Sequence, residues 1–491
     1  MNLNKKAIVI GAGVAGMAIA IRLAVKGFEV LVYEQNEMPG GKLTSFVKDG
    51  FVFDAGPSLF TAPHLLQELF NVANEPLIDY FSYQKQATAN KYFFEDGTTV
   101  TAYADTVLFA KELNEKLGEK NETVLKYLQN AAVLFNKTGN FFLNHSLHKI
   151  KSYCSLNFIN AFKGVKLNYV TKNLDAYNAQ NFSNPKTIQL FNRFATYNGS
   201  NPYKAPAMLS LIPHLEHNDG TYYPKGGMVS ITNALYNLAI KKGVVFNFKS
   251  SINSIIATNG KVKGVVLKDK NIYADVVVSN CDAYFTYKNL LKNDLLAAKI
   301  LRQERSSSAL IFYWGVNATF KQLDLHNILF SNDYKAEFNA IFNVKACFAD
   351  PTVYINITSK CEPELMAPIG KENWFVMINV PANTNINWDK ATAGCRDYII
   401  KKINKTLNIN IENHIEVEEV LHPSLIESKT ASYLGSLYGT SSNTKFAAFL
   451  RHSNFSTAYK GLYFVGGSVH PGGGIPLCLQ SAKITAELCK I

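Results

Sequence analysis

Directly after the apolar run at residues 7–10 the chain reads Gly11-Ala12-Gly13-Val14-Ala15-Gly16. The run fits a buried parallel strand. In such a glycine triplet the first permits a tight turn, the second lets the backbone approach a pyrophosphate, and the third lets the following helix pack on the strand. That helix is predicted over residues 13–26, with its N-terminus facing the phosphate charge. Lys26-Gly27 closes it, residues 29–33 form a second strand, and Glu34 stands at that strand's end. A carboxylate there accepts hydrogen bonds from ribose hydroxyls, and an acid in place of Arg disfavours a 2′-phosphate. A doubly wound α/β nucleotide-binding unit is therefore expected at the N-terminus.

Met38-Pro39-Gly40-Gly41-Lys42 follows the acid within a few residues, and Phe53-Asp54-Ala55-Gly56-Pro57-Ser58 comes next. Both segments resemble those with which amine-oxidase-like flavoproteins extend the dinucleotide motif along FAD, and the resemblance implies FAD as the cofactor. A C-terminal partner element is present: a strand at residues 461–465, the turn Gly466-Gly467-Ser468, and the loop His470-Pro471-Gly472-Gly473-Gly474-Ile475-Pro476 opening a helix to about residue 490. Pro suits the first helical turn, where its missing N–H is not needed. A middle piece runs from Tyr222 to Met228 through a helix to Lys242, then strands at 244–249, 264–267 and 274–279. Cys281, at the turn after them, is read as a small buried residue rather than a reactive thiol.

With the segment Asn192-Arg193-Phe194-Ala195-Thr196-Tyr197-Asn198-Gly199-Ser200-Asn201-Pro202-Tyr203-Lys204-Ala205-Pro206-Ala207, the whole chain resembles the carotenoid desaturases of the bacterial phytoene-desaturase type. The resemblance implies a Rossmann-like FAD domain built from separated segments (1–75, 215–289, 456–491), an α+β substrate domain (76–104, 290–455) and a helical membrane-facing lid (105–214). Among the branches of that family the chain is most similar to the 3,4-desaturases of 1-hydroxylated carotenoids such as hydroxylated γ-carotene. Ser468-Val469, Gly473 and Leu477 depart from the family's usual C-terminal wording, which leaves the substrate open. Phytoene desaturase, carotenoid isomerase, retinol-saturase-like and amine-oxidase chemistry stand as alternatives, as does a non-catalytic FAD-containing carotenoid-binding protein.

Desaturation removes a hydride to the flavin and a proton from the neighbouring carbon, so the protein mainly positions and desolvates. The absence of a Ser/His/Asp constellation or metal-ligand spacing agrees with this. Arg193, Tyr197, His214, Glu216 and His217 are the candidates to face the flavin and receive the proton. Oxygen or a quinone is the expected terminal acceptor, because no second nucleotide motif is visible for NAD. Phe312, Tyr313, Trp314, Tyr354 and Phe375 are candidates to line a hydrophobic tunnel.

A length of 491 residues calls for more than one domain. The formal net charge of +12 favours anionic partners. No nucleic-acid motif accompanies it, so a phospholipid surface is the expected partner. Residues 148–169 interleave Lys149, Lys151, Lys163 and Lys166 with Tyr153, Leu156, Phe158, Ile159 and Phe162, a pattern that can lie in the lipid interface. Residues 8–25 are nearly all apolar, but their glycine spacing belongs to the nucleotide fold rather than to a signal peptide. The seven cysteines are scattered without C-x-x-C, which argues against a disulfide framework or zinc site. A cytoplasmic protein attached peripherally to the inner face of the cell membrane is expected.

Overall fold

The computed structural model describes residues 5–149, 153, 165–383, 386–447 and 451–490. Most of the basic-aromatic stretch at 148–169 lies outside the described residues.

The strand Lys6–Ile10 is apolar on both faces because it lies inside a parallel sheet. The sheet order is Leu462–Phe464, Val276–Ser279, Lys6–Ile10, Glu29–Tyr33, Val245–Asn247, and every pairing is parallel. The first helix, Val14–Val25, covers one face beside Ile475–Leu488 and Val229–Lys241. Gly16 lets it descend onto the sheet: a Cβ there would stand 2.1 Å from the Gly11 carbonyl oxygen. An apolar core that includes Ala7, Val9, Met17, Ile21, Leu235 and Leu479 binds these layers, so three distant chain segments share one hydrophobic unit. A three-stranded antiparallel sheet, Ser254–Thr258, Lys261–Leu267 and Lys270–Tyr273, flanks them.

A seven-stranded sheet forms the second layer system, ordered Ile415–Leu421, Ser308–Val316, Glu372–Val380, Val353–Asn356, His326–Leu329, Thr88–Phe93, Thr99–Tyr103. Its pairings are antiparallel except His326–Leu329 with Thr88–Phe93. The helix Trp388–Leu407 packs on one face through Trp388, Ile399 and Ile403. On the helical side, Thr106–Leu117, Asn121–Leu134, Leu174–Asn181 and Pro185–Asn192 gather around Phe109, Tyr127 and Phe191. Asp105 caps the first of these by accepting from Val107 N (2.8 Å) and Leu108 N (2.9 Å).

Strand alternation corrects one expectation. Tyr313, Tyr354 and Phe375 face the interior cavity, whereas Phe312 and Trp314 point to the opposite face and pack with Trp374 and Ile399. Neighbours in a strand necessarily take opposite faces, so the run Phe312-Tyr313-Trp314 could supply one wall residue, not three. A second correction concerns the cysteines: Cys347 and Cys395 form a disulfide, with Cα atoms 6.6 Å apart and a sequence separation of 48. Cys281 is half-buried rather than buried, and desolvation pushes its thiol up to about 12.

Candidate functional site

A cavity of about 1990 Å³ runs between the two sheets. That is roughly twice the upper end of an ordinary small-molecule pocket; it can hold a dinucleotide and a second large ligand together. Gly11, Gly13, Ala15, Glu34, Gly40, Gly41, Lys42, Gly56, Pro57, Ser58, Gly466, Gly467, Gly474, Ile475 and Pro476 line it, whereas Ala12 and Gly16 act from behind. Ala12 N–H donates to Glu34 Oε2 at 2.7 Å, and Gly16 N–H donates to Asn280 Oδ1 at 3.0 Å.

Glu34 also accepts from Asn36 N and Nδ2, both at 2.9 Å on Oε1. A carboxylate offers about four acceptor positions, so capacity remains for ribose hydroxyls. The helix starting at Val14 has Gly13 as N-cap and no side-chain cap, and the helix starting at Ile475 has Gly474 and none either. Both uncapped ends open onto the same cavity. Each presents unpaired N–H groups and a positive dipole end, one suited to a diphosphate and the other to the electron-rich edge of a flavin. These residues fit FAD: the glycines at 11, 13, 40 and 41 with Glu34 would hold the adenosine diphosphate half, and the segments at 56–58 and 466–476 the isoalloxazine half. When bound, FAD supplies a two-electron acceptor for hydride.

Lys42 is half-buried beside this cradle. Its ammonium donates to Ser436 O (3.2 Å) and Leu437 O (3.0 Å), and burial pulls it down to about 8. It thus ties the glycine-pair loop to the segment that closes the cavity opposite. Sequence reasoning missed three ties of this kind. Asn280 bridges Gly16 to Val465 O (3.3 Å). Arg305 pairs with Asp282 at 2.7 Å, both buried. Arg451 donates to Tyr438 O and Gly467 O, each at 2.9 Å. None belongs to a motif; each is recognisable through what surrounds it in space.

The cavity continues from the cradle as an apolar arm lined by Phe141, Leu167, Met208, Leu209, Phe375 and Leu437. Leu167 and Phe446 line it while remaining 76% and 66% exposed, so the arm opens to the outside there. On its wall the structure brings together three of the five candidates, Arg193, Tyr197 and Glu216. Arg193 Nη2 lies 3.1 and 3.0 Å from the two Glu216 oxygens and 2.8 Å from Tyr92 Oη. Tyr197 donates a short hydrogen bond to Glu216 Oε2, and Asn90 Nδ2 donates to Oε1 at 2.8 Å. Arg193 and Tyr197 line the cavity, whereas Glu216 sits behind them. Burial acts to raise the Glu216 carboxyl, but Arg193, His217 and Tyr197 outweigh it and hold it below the usual carboxylate range. His217 lies next to this pair, stacked 4.4 Å from the Phe109 ring, and burial lowers it to about 4. His214 stands apart, with Nε2 3.5 Å from Asp219. Among the described residues no cluster of three or more metal-ligating side chains exists.

Two uncapped helix ends, an acid-terminated second strand and an apolar arm on one cavity define an FAD-dependent oxidoreductase. The chain belongs to the flavin containing amine oxidoreductase family, whose model matches residues 14–329. It is 52% identical, over 99% of both chains, to a 1-hydroxycarotenoid 3,4-desaturase of Flavobacterium sp. (strain P99-3). It is 33% identical to a 4,4'-diapolycopene oxygenase of Methylomonas sp., covering 99% of this chain and 98% of that one. Among solved structures, an oxidoreductase from Methanosarcina mazei superposes with a TM-score of 0.63 at 16% identity over 97% of this chain and 98% of that one. Putrescine oxidase bound to putrescine gives 0.61 at 11% identity over 99% and 98%. These two share the fold.

Proposed function

We propose that this chain is an FAD-dependent carotenoid desaturase that introduces the 3,4 double bond of a 1-hydroxylated carotenoid such as hydroxylated γ-carotene. The observation that carries this reading is the apolar arm joined without interruption to the cofactor cradle, together with the 52% identical relative of that name. A long hydrocarbon laid in the arm would place a saturated CH–CH unit beside the flavin. The arm's walls exclude water, which would otherwise intercept a cationic intermediate. In this reading Arg193, Glu216 and Tyr197 form the polar patch that fixes the arm's wall. Oxygen or a quinone reoxidises the flavin.

The relatives at about one-third identity are named as oxygenases, which gives a second reading: insertion of oxygen into the same class of hydrocarbon. Product mass separates the two. Expressed in cells that make 1-hydroxycarotenoids, the chain is expected to yield a red-shifted pigment lighter by two hydrogens. A pigment that gains oxygen establishes the oxygenase reading; an isomerised pigment of unchanged mass removes both.

A forty-carbon substrate leaving lipid for water would cost roughly 30 kcal/mol at about 0.8 kcal/mol per CH₂-sized group. The enzyme is therefore proposed to collect it at the inner face of the cell membrane, where the exposed apolar rim of Leu167 and Phe446 meets the lipid and Lys166 and Lys445 meet its anionic headgroups. Among the described residues no helix is long and apolar enough to cross a membrane, and attachment would be peripheral. The protein is expected to sediment with phosphatidylglycerol vesicles, and the double substitution Leu167→Asp, Phe446→Asp to abolish this while leaving flavin content intact. Sedimentation of the double variant at the wild-type level would place the contact elsewhere.

A further inference from the structure

The large sheet turns one face to the cavity. Tyr354 and Asn356 lie on that face of the strand Val353–Asn356, and the antiparallel register pairs His326 with Asn356 and Ile328 with Tyr354. His326 is thus opposite Asn356 and diagonal to Tyr354, within reach of both. Its ring is buried, 2% exposed. Tyr354 Oη lies 2.8 Å from His326 Nδ1 and 2.9 Å from Ser58 Oγ. Ser58 and Tyr354 both line the cavity.

Ser58 is pinned at the junction of cradle and sheet. Ala55 N–H donates to Thr44 O at 2.8 Å, Tyr313 Oη donates to Ala55 O at 2.8 Å, and a Cβ on Gly56 would stand 1.8 Å from Lys42 O. The direction of the chain of hydrogen bonds follows from its far end. Asn356 Nδ2 donates to Leu325 O at 3.0 Å, which fixes the amide, and the same nitrogen lies 3.2 Å from His326 Nδ1. An amide nitrogen only donates, so His326 Nδ1 is the unprotonated nitrogen and the proton sits on Nε2. Tyr354 then donates to Nδ1, and its oxygen is left to accept from the Ser58 hydroxyl. Every bond points from the cavity toward His326.

We infer that Ser58, Tyr354 and His326 form the path by which the proton removed from the substrate leaves the cavity, with His326 as the terminal acceptor acting through Tyr354. The inference rests on the desaturase reading. One substrate C–H bond gives up its hydrogen with the electron pair to the flavin. The adjacent C–H bond breaks and leaves its electron pair as the new π bond. Its proton passes to Ser58 Oγ, the Ser58 hydrogen passes to Tyr354, and the Tyr354 hydrogen passes to His326 Nδ1, leaving an imidazolium and a neutral alkene.

Glu216 is the poorer acceptor. Arg193, Tyr197, Asn90 and Tyr92 already occupy its oxygens, and it does not line the cavity. It does act on His326 at a distance. Burial lowers the imidazole to about 4, Glu216 and Asp324 oppose that, and Arg193 adds to it. His326 is therefore an empty proton site at neutral pH. A carbon acid next to a developing cation is a far stronger acid than this imidazolium, so the transfer runs downhill.

Tyr354→Phe keeps the ring against Phe375 and removes the relay. It is expected to bind FAD and carotenoid as the wild type does, with KM unchanged, while flavin reduction in anaerobic single turnover slows by about 10²–10⁴-fold. His326→Gln can still accept from Tyr354 but cannot hold a proton; turnover should fall, and the loss of rate expected of the wild type as pH drops toward 4 should vanish. In ¹⁵N spectra of the imidazoles, the signal lost in His326→Gln should be that of an Nε2–H tautomer. An Nδ1–H tautomer, or flavin reduction at the wild-type rate in Tyr354→Phe, overturns the path. If the wild type itself shows no flavin reduction with any carotenoid, the desaturase reading fails instead, and the tautomer still decides the direction of the chain.

Discussion

Replacing Arg193 with Met is expected to lower folding stability by about 3–5 kcal/mol, the usual cost of leaving one partner of a buried ion pair uncompensated. Glu216 is 1% exposed and keeps only neutral donors once the guanidinium is gone. Arg193 also lies over three rings, with Cζ 4.8 Å from the centroid of Phe194, 5.3 Å from Tyr92 and 5.4 Å from Tyr197. Against a total of about 5–15 kcal/mol for an ordinary domain, this loss is severe. Urea denaturation measures it, and Arg193→Met combined with Glu216→Leu should recover most of it, because no charge then remains buried. The pH dependence carries a definite sign. The native carboxyl titrates below its unfolded value, so the pair's contribution is present above that value and is lost as pH falls through the native one. In Arg193→Met burial is opposed only by His217 and the neutral donors, the native carboxyl rises, and acid should destabilise the variant less than it does the wild type. A single variant with the wild-type urea midpoint would show that the pair contributes little.

Gly56→Ala should cost the protein its flavin. The added carbon would stand 1.8 Å from Lys42 O and 3.0 Å from Lys42 C, and both atoms are backbone, which cannot rotate away. Residues 55–58 or the Lys42 loop must then move, taking with them the glycine pair and Ser58. The purified variant is expected to lack the yellow absorbance band at any FAD concentration that saturates the wild type. Gly394→Ala makes the control: it lies within the helix Trp388–Leu407, a Cβ there meets nothing within 4 Å, and alanine favours a helix interior by up to about 1 kcal/mol. That variant should keep its flavin and melt at the wild-type temperature or above. Retained flavin in Gly56→Ala would mean that the two segments are not pressed together.

What could be read in the chain before folding, and what could not, divides along a physical line. The glycines at 11, 13 and 16, Glu34 and Pro476 answer to local backbone demands and stand at fixed spacings, so their neighbourhood is written beside them. Tyr354 was legible as an aromatic in a strand, yet its hydroxyl partners come from position 58 and position 326, and the pairing depends on sheet register. His326 gave no signal at all: an isolated His before an apolar run is ordinary. Phe312 and Trp314 show the limit of composition, since only the sheet decides which face meets the cavity. The Cys347–Cys395 contact depends on how the long helix packs, which no spacing rule conveys. Arg193, Tyr197 and Glu216 were nominated from one stretch of sequence and do meet in space; His214, from the same stretch, turns toward Asp219.

The parallel sheet has a consequence for how the molecule is made. Its central strand is made well before one neighbour, Val276–Ser279, which follows some hundreds of residues later, and the edge strand Leu462–Phe464 comes later still. The helix Val14–Val25 likewise waits for Ile475–Leu488, which packs along it and takes the Lys26 ammonium on the Ala486 carbonyl. Throughout synthesis, then, an N-terminal segment as apolar as Ile8, Val9 and Ile19 has no permanent partner, and non-local pairing of this kind is slow and prone to aggregation. A growing chain of this design depends on being shielded until residues 462–488 appear. A chain that stopped before Leu462 would not be a shortened enzyme but one whose parallel sheet lacks its edge strand and whose first helix lacks its partner.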